Sequence, residues 1–380
     1  EHFTRALRAD PKRKGLLYAG TENGMYISFD DGNNWSPFQL NLPIVPITDL
    51  AIKNNNLIAA TQGRSFWIID DLTPFHQIDE TLISKDFFLY KPMDTYRMGG
   101  SNRKSKTAGQ NHPGGVLVNF YVKNVAENDT ISLSVYENSG KLIKAFSNKA
   151  NEDKHEEKLK VEKGSNQFNW DMQYPDAEKI KGMILWWASL KGPKALPGTY
   201  KIKLSKNGKA ISEQNFNLLK DPRSSATTED LQAQFDFIID IQEKLTEIHK
   251  TLKNITKIKE QINQLKESII NKEKNKEILE LADYIVKELT IVENELYQTK
   301  SKSSQDPLNF PIKLNNKLAH LNSLSSVGDY KPTDQSVEFK KEITQLIDAE
   351  LAKIYAIFED DVKKLNKKVK ESDIELINLN

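Results

Sequence analysis

Six histidines offer the first route to chemistry: His2, His76, His112, His155, His249 and His320. No two of them stand at the H-x-x-H or HExxH spacing that brings imidazoles to one metal. Cysteine is absent, which excludes disulfides, thiolate metal ligands and a Cys nucleophile. The chain has no G-x-S-x-G elbow, no P-loop and no dinucleotide fingerprint. Asp70 and Asp71 are adjacent carboxylates, but neighbours along a strand face opposite ways and do not converge on one glycosidic bond. Three residues hold a geometric claim on a ligand: Glu22, Asn23 and Arg64, in two turns between strand-like runs. A guanidinium grips a carboxylate at two points, so Arg64 suits an acidic ligand. A solvated turn arginine and a capping glutamate account for the same residues without any ligand. Trp170, Trp186 and Trp187 invite a sugar-stacking platform; in a strand, adjacent Trp186 and Trp187 put one indole in and one out. The sequence supports no catalytic assignment, no metal site and no cofactor.

The turns that carry these residues belong to a repeating pattern. Ser28-Phe29-Asp30-Asp31-Gly32-Asn33-Asn34-Trp35 reads S-x-D-x-G-x-x-W between two strand-like runs. Asp30 can accept hydrogen bonds from the N–H groups of its own loop. Gly32 supplies a backbone conformation that a side chain resists, and Trp35 offers apolar surface to neighbouring strands. An ordinary Asx-Gly hairpin is the plain alternative. Strand-like runs are expected at Phe3 to Arg8, Leu16 to Gly20, Met25 to Phe29 and Trp35 to Leu40. A second set follows at Ile47 to Ile52, Leu57 to Thr61, Phe66 to Ile69 and Phe87 to Tyr90. A four-strand unit repeating at roughly 40 residues is the signature of propeller blades.

The motif resembles the Asp box of bacterial neuraminidase repeat (BNR) propellers, found in sialidases and sortilin-type domains. The resemblance extends through Leu17-Tyr18-Ala19-Gly20-Thr21-Glu22, Gln39-Leu40-Asn41-Leu42-Pro43 and Ala60 to Asp71. It continues at Trp170 to Pro175, Gly182 to Trp186 and Ser303 to Pro311. These stretches look like large exported bacterial BNR-repeat proteins, often labelled glycosyl hydrolase or sortilin-like. This chain has Ser65 where that family usually has Gly. In those families the Asp box, here Ser28, Asp30, Gly32 and Trp35, holds a blade together and does no chemistry. Propeller ligands sit on the loops joining strand two to three and strand four to one; Glu22, Asn23 and Arg64 fall on two of the former here. The sialidase constellation of three arginines, a tyrosine and carboxylates is not matched; Arg64 alone is a candidate for it.

Composition is consistent with a packed multidomain protein. The chain has 380 residues, 38% hydrophobic and 28% charged, with a net charge of +1. That balance gives no footprint for nucleic acid or an anionic membrane, and no run has the length of a membrane helix. The chain begins at Glu1 and enters a strand almost at once, as the C-terminal part of a longer propeller protein would.

Four regions are expected. Residues 1–97 form two terminal all-β propeller blades, and 98–115 a Gly/Ser/Asn/Lys-rich linker. Residues 116–225 form an immunoglobulin or fibronectin-type sandwich, with strands at Val116 to Val122, Ile131 to Glu137, Leu142 to Phe146, Gly164 to Trp170, Met183 to Leu190, Tyr200 to Ser205 and Ala210 to Leu218. At 226 the apolar period changes from 2 to about 3.6. Residues 226–380 form an antiparallel helical bundle able to fold alone, opened by a capping box at Thr227 to Asp230. Asn315 and Asn316 are expected to cap the loop at 303–311. The reading implied for function is binding or assembly at the cell envelope of an exported protein. Its rivals are an accessory region of a sialidase-like hydrolase and a sortilin-like peptide-binding module. A glycan or peptide would engage the propeller, and a protein partner the helices.

Overall fold

The computed structural model describes residues 2–99, 109–150, 157–372 and 374. Much of the expected linker, 100–108, and His155 lie outside them. The chain divides into two compact units. The first comprises 1–172 and 197–221, the second 173–196 and 222–380.

The first unit is all β apart from two short helices, α1 (Thr73–Gln77) and α2 (Glu80–Ile83). Strands β1 (Thr4–Ala9), β2 (Leu17–Thr21), β3 (Gly24–Ser28) and β4 (Ser36–Pro37) make an antiparallel sheet in sequence order. Strands β5 (Ile47–Lys53), β6 (Asn56–Thr61) and β7 (Phe66–Ile69) make a second, three-stranded one. The two sheets bury a shared core: Tyr18, Met25 and Ile27 from one join Ile47, Leu50 and Leu57 from the other. Gly20 permits this packing, because a Cβ there would sit 2.6 Å from the Ile47 side chain. The run at Phe87 to Tyr90, expected as the fourth strand of the second blade, goes elsewhere. Strand β8 (Phe87–Leu89) pairs with β10 (Val116–Val122). The second sheet therefore stops at β7, short of a four-stranded blade.

Strand β10 also pairs with β13 (Gly164–Trp170), giving the order β13-β10-β8. A five-stranded sheet follows the order β12-β11-β14-β15-β9, built from β9 (Thr95–Tyr96), β11 (Ile131–Glu137), β12 (Leu142–Ser147), β14 (Gly198–Lys206) and β15 (Lys209–Leu219). Trp170 from the first of these sheets is fully buried, with its ring centroid 5.8 Å from Tyr200 and 6.1 Å from Phe216 of the second. It is core and offers no sugar platform. The β14–β15 turn uses Asn207 and Gly208, at φ 51° and 78°, the left-handed pair a type I′ hairpin requires.

The expected strand at Met183 to Leu190 does not form. Residues 173–196 leave the β unit and lie along helices of the second unit, where Ile180, Met183, Leu185, Ala188 and Leu190 pack on the helical core. The helices are α3 (Thr228–Ser268), α4 (Lys276–Leu296), α5 (Leu314–Ser325), α6 (Asp334–Ala356) and α7 (Lys363–Lys370), with a π-helical stretch at Ile357–Val362. The α3 N-terminus carries a reciprocal capping box: Asp230 N–H donates to Thr227 Oγ1, and Thr227 N–H to Asp230 Oδ2. Ile241, Leu245, Ile248, Leu252 and Ile255 form its buried seam at three- and four-residue steps.

Candidate functional site

A cleft of about 320 Å³ opens in the β unit beside the turn after β1 and the β5–β6 hairpin. Asp10 follows β1, and its carboxylate is consumed locally. Oδ1 accepts from the N–H groups of Lys12 and Arg13, at 2.8 and 3.0 Å. Oδ2 accepts from the Tyr18 hydroxyl at 3.3 Å and lies 2.9 Å from His76 Nε2. This turn is braced by the loop after β3, since Asp31 N–H donates to Gly15 O.

The facing wall is the β5–β6 hairpin. Asn54 and Asn55 take φ 50° and 68°, the two-residue type I′ geometry that asparagine tolerates. Asn55 Nδ2 donates to Asp71 Oδ1 at 3.0 Å and to Thr73 Oγ1 at 2.9 Å, and its carbonyl accepts from Leu72 N–H. These bonds seat the short helix α1 (Thr73–Gln77), which carries His76. Arg13 also donates to Phe75 O, and Phe75 meets Phe38 edge-on. Gln77 exchanges hydrogen bonds with both main-chain groups of Lys91, which places Met93 on the rim. Lys12, Ile52 and Pro11 complete the walls.

The electrostatics follow from these contacts. Burial by itself would raise the Asp10 pKa; His76 and the two turn N–H groups outweigh it and hold the carboxyl below its ordinary value. Tyr18 is pushed upward by burial and then by the Asp10 charge, so it stays a neutral donor. With Asp10 ionised, the His76 proton belongs on Nε2. No hydrogen bond reaches Nδ1 among the described residues. The buried Asn55 Oδ1 likewise has no partner. The cleft has no serine or threonine hydroxyl among its lining residues and no second carboxylate facing Asp10. Among the described residues no group of three or more His, Asp or Glu side chains is placed to hold a metal.

The residues singled out from sequence lie elsewhere. Glu22 and Asn23 occupy the β2–β3 turn and Arg64 the β6–β7 turn, at the strand ends opposite the cleft. Glu22 forms an exposed ion pair with Arg5 at 2.5 Å. Asn23 Nδ2 lies 2.9 Å from His2 Nδ1. The Arg64 carbonyl accepts from Trp67 Nε1, and its exposed side chain has no ion pair or hydrogen bond among the described residues. Ser65 beside it stands at φ 61°, the left-handed conformation a glycine would take freely.

The S-x-D-x-G-x-x-W turn is a closed hydrogen-bond loop. Asp30 Oδ1 accepts from Asn34 N–H at 2.8 Å and from Ser28 Oγ at 2.9 Å. Oδ2 accepts from Asn34 Nδ2 at 2.6 Å. Ser28 Oγ in turn accepts from Gly32 N–H, and Trp35 Nε1 donates to Gly32 O. The bonds from Asn34 and Ser28 hold the Asp30 pKa below its usual value.

Sequence reasoning passed over the cleft. Asp10-Pro11 and Asn54-Asn55-Asn56 look like punctuation between strands, and His76 fits no metal spacing. His76 and Asp10 are 66 positions apart, and no local pattern links them.

Asn315 and Asn316 are also placed differently from the expectation. Asn316 Oδ1 accepts from Trp186 N–H at 2.7 Å while its Nδ2 donates to Trp186 O at 2.9 Å. Asn315 Nδ2 lies 3.4 Å from His249 Nε2 and 3.6 Å from Met183 Sδ. Both hold the 173–196 segment on the helices and do not cap the 303–311 loop. Trp187, at φ 50°, is 73% exposed and Trp186 half-buried.

No family model and no curated protein matches this chain. Among solved structures it is similar to the extracellular domain of BT3049, assigned to a hybrid two-component system of B. thetaiotaomicron. Identity is 12%, covering 58% of this chain and 26% of that one, with a TM-score of 0.17. It is similar also to the extracellular domain of BT4673 from the same organism, at 10% identity, 58% and 25% coverage and a TM-score of 0.16. The chain thus spans about a quarter of the length of these structures. Likeness at this level carries no argument about its fold, site or activity.

Proposed function

We propose that this chain is a binding portion of an exported envelope protein, holding a ligand or partner without transforming it. In this reading the β1–β7 sheets are terminal propeller blades, the following sheets an immunoglobulin-like sandwich, and the helices a surface for a protein partner. The observation that carries it is the state of the His76–Asp10 pair. A hydrolytic pair needs a carboxylate or imidazole free to accept a proton from a nucleophile. Here the carboxylate has four donors, and no hydroxyl or second acid joins the imidazole in the cleft. The Asp-box wording of the sequence supports export and the propeller assignment. Arg64, exposed and unpaired, is the element of the β6–β7 turn suited to an acidic ligand.

A glycan and peptide array probed with the purified chain tests the reading. Saturable binding without turnover is expected, with Arg64→Ala weakening acidic ligands and leaving the melting temperature nearly unchanged. Hydrolysis of any array member, or an array with no binder, would overturn it.

A further inference from the structure

Strand β7 is the open edge of its sheet: β6 pairs along one side, and no strand pairs along the other among the described residues. At the β6–β7 turn Thr61 N–H donates to Ser65 O. Antiparallel pairs alternate between bonded and non-bonded, so Ala59 bonds with Trp67 and Leu57 with Ile69. The N–H and C=O groups of Phe66 and Ile68 therefore face away from β6. Their side chains are 74% and 55% exposed. Edge strands are ordinarily blunted by charge, proline or shortness, because unpaired main chain recruits other strands. Elsewhere in this unit that is so: β4 is two residues long and contains Pro37, and β12 carries Lys144. Within β7 every residue is apolar, Phe66-Trp67-Ile68-Ile69.

Arg64 precedes β7 and Asp70 follows it, and both side chains are exposed, with no ion pair or hydrogen bond among the described residues. The run from Arg64 to Asp70 is complementary to itself when one copy is reversed about Trp67. Phe66 then stands opposite Ile68 of the second copy, and Ile68 opposite its Phe66. Both pairs are of the bonded kind, so all the outward main-chain groups find partners. Each pair also sets an aromatic ring beside a β-branched chain, a favourable cross-strand contact. At each end Arg64 meets Asp70 of the second copy, and a guanidinium suits that carboxylate. Centring the pair on Phe66 or on Ile68 instead loses half of these bonds and sets Arg64 or Asp70 against an apolar side chain. We infer that β7 pairs with β7 of a second copy, antiparallel and two-fold symmetric about Trp67, joining the two sheets edge to edge. A strand of four residues a side is far below the roughly 20–30 residues of a standard interface, so the dimer dissociates on dilution. The inference goes beyond the ligand reading and does not rest on it.

Sedimentation equilibrium of the whole chain across a concentration series tests it. A reversible monomer–dimer equilibrium is expected. Amide exchange at Phe66 and Ile68 should slow as the chain is concentrated, more than at Trp67, whose N–H is already bonded within the sheet. Ile68→Pro removes an N–H that β6 does not use and should weaken the dimer about tenfold. Arg64→Asp and Asp70→Arg each set like charges opposite one another and should weaken it, and the double variant Arg64→Asp/Asp70→Arg should recover the parent affinity. Melting at low concentration shows which variants are folded, and the charge variants keep the test decisive if the proline variant is not. A chain monomeric at its highest soluble concentration overturns the inference and leaves the edge to a strand from another source. A dimer that the folded variants leave unchanged overturns it too, as does a double charge variant that recovers nothing.

Discussion

Buried side-chain amides occur in both units, and the two units use them differently. In the helical unit they are spent on the protein's own main chain. Asn316 pairs with both polar groups of Trp186, and Asn322 Nδ2 donates to Ser189 O and Lys191 O, each at 2.9 Å. His249 Nδ1 lies 2.6 Å from Glu178 O and His320 Nδ1 2.6 Å from Trp187 O. The helices thereby read an irregular segment by its backbone, much as they would a bound peptide. In the β unit one amide is only half used: Asn55 Nδ2 donates to Asp71 and Thr73 while its buried Oδ1 has no partner. Asn315 Oδ1 is unpartnered too, but it belongs to a fully buried residue of the helical core region. Polar groups consumed by a segment of the same chain make structure.

The largest consequence concerns the 173–196 segment. The helical seams suggested that 226–380 folds alone, yet without the segment Asn316, Asn322 and His249 lose their partners. At about 1–3 kcal/mol for each stranded group, the isolated fragment should lose most of its cooperative melt while keeping helical circular dichroism. A synthetic 173–196 peptide added in trans should restore the transition. An equally sharp melt with and without the peptide would show the segment to be dispensable.

Within the full chain, Asn316→Ala should cost about 2–4 kcal/mol by denaturant unfolding, since it strands both main-chain groups of Trp186. Asn55→Ala in the β unit removes a side chain that already carries one unmet acceptor, so its loss should be the smaller of the two. The reverse order would contradict the division between fully used and half-used amides.

The two units should also fail in different acid ranges. Burial lowers the His249 pKa below its ordinary 6.5, against the opposing pull of the Glu178 carbonyl and charge. Between the folded value and 6.5 the unfolded chain holds more proton, so helical stability declines as pH falls below about 6.5. Asp10 also has a lowered folded pKa, with an ordinary value of 3.8. Its contribution is present above that value and is lost as pH falls through the folded one. Hydrogen exchange read by mass spectrometry across pH 7 to 3 should therefore show residues 173–196 and 228–268 loosening first. His249→Gln should flatten the upper limb and leave the Asp10 limb intact. Simultaneous loosening of both units would refute the assignment.

The smallest effect is expected at Ser65. Its φ of 61° costs a non-glycine residue about 1 kcal/mol, so Ser65→Gly should stabilise the β unit by about 0.5 kcal/mol once the extra unfolded-state entropy of glycine is subtracted. A thermal melt checks it. A destabilised variant would mean that the serine side chain holds the turn.

Local physics was legible in the sequence. The strand-like runs of β1 to β3 and β5 to β7, the turn at Ser28 to Trp35, the Asn207-Gly208 hairpin, the Thr227–Asp230 capping box and the seam of α3 all follow from patterns a few residues long. Each is set by contacts between neighbours along the chain, and each appears in the structure. Partnerships across long separations were not legible. The apolar run at 183–190 satisfies a strand and a helix-packing strap equally well, and only the buried Asn316 and Asn322 decided between them. The run at Phe87 fits a blade edge as well as it fits β10, and register with Val122 chose the latter. His76 became a partner of Asp10 because Asn55 and Asp71 seat α1 beside the first turn. Hydrogen-bond satisfaction in a buried place depends on which groups the whole fold brings together, and neighbours in sequence carry no record of it.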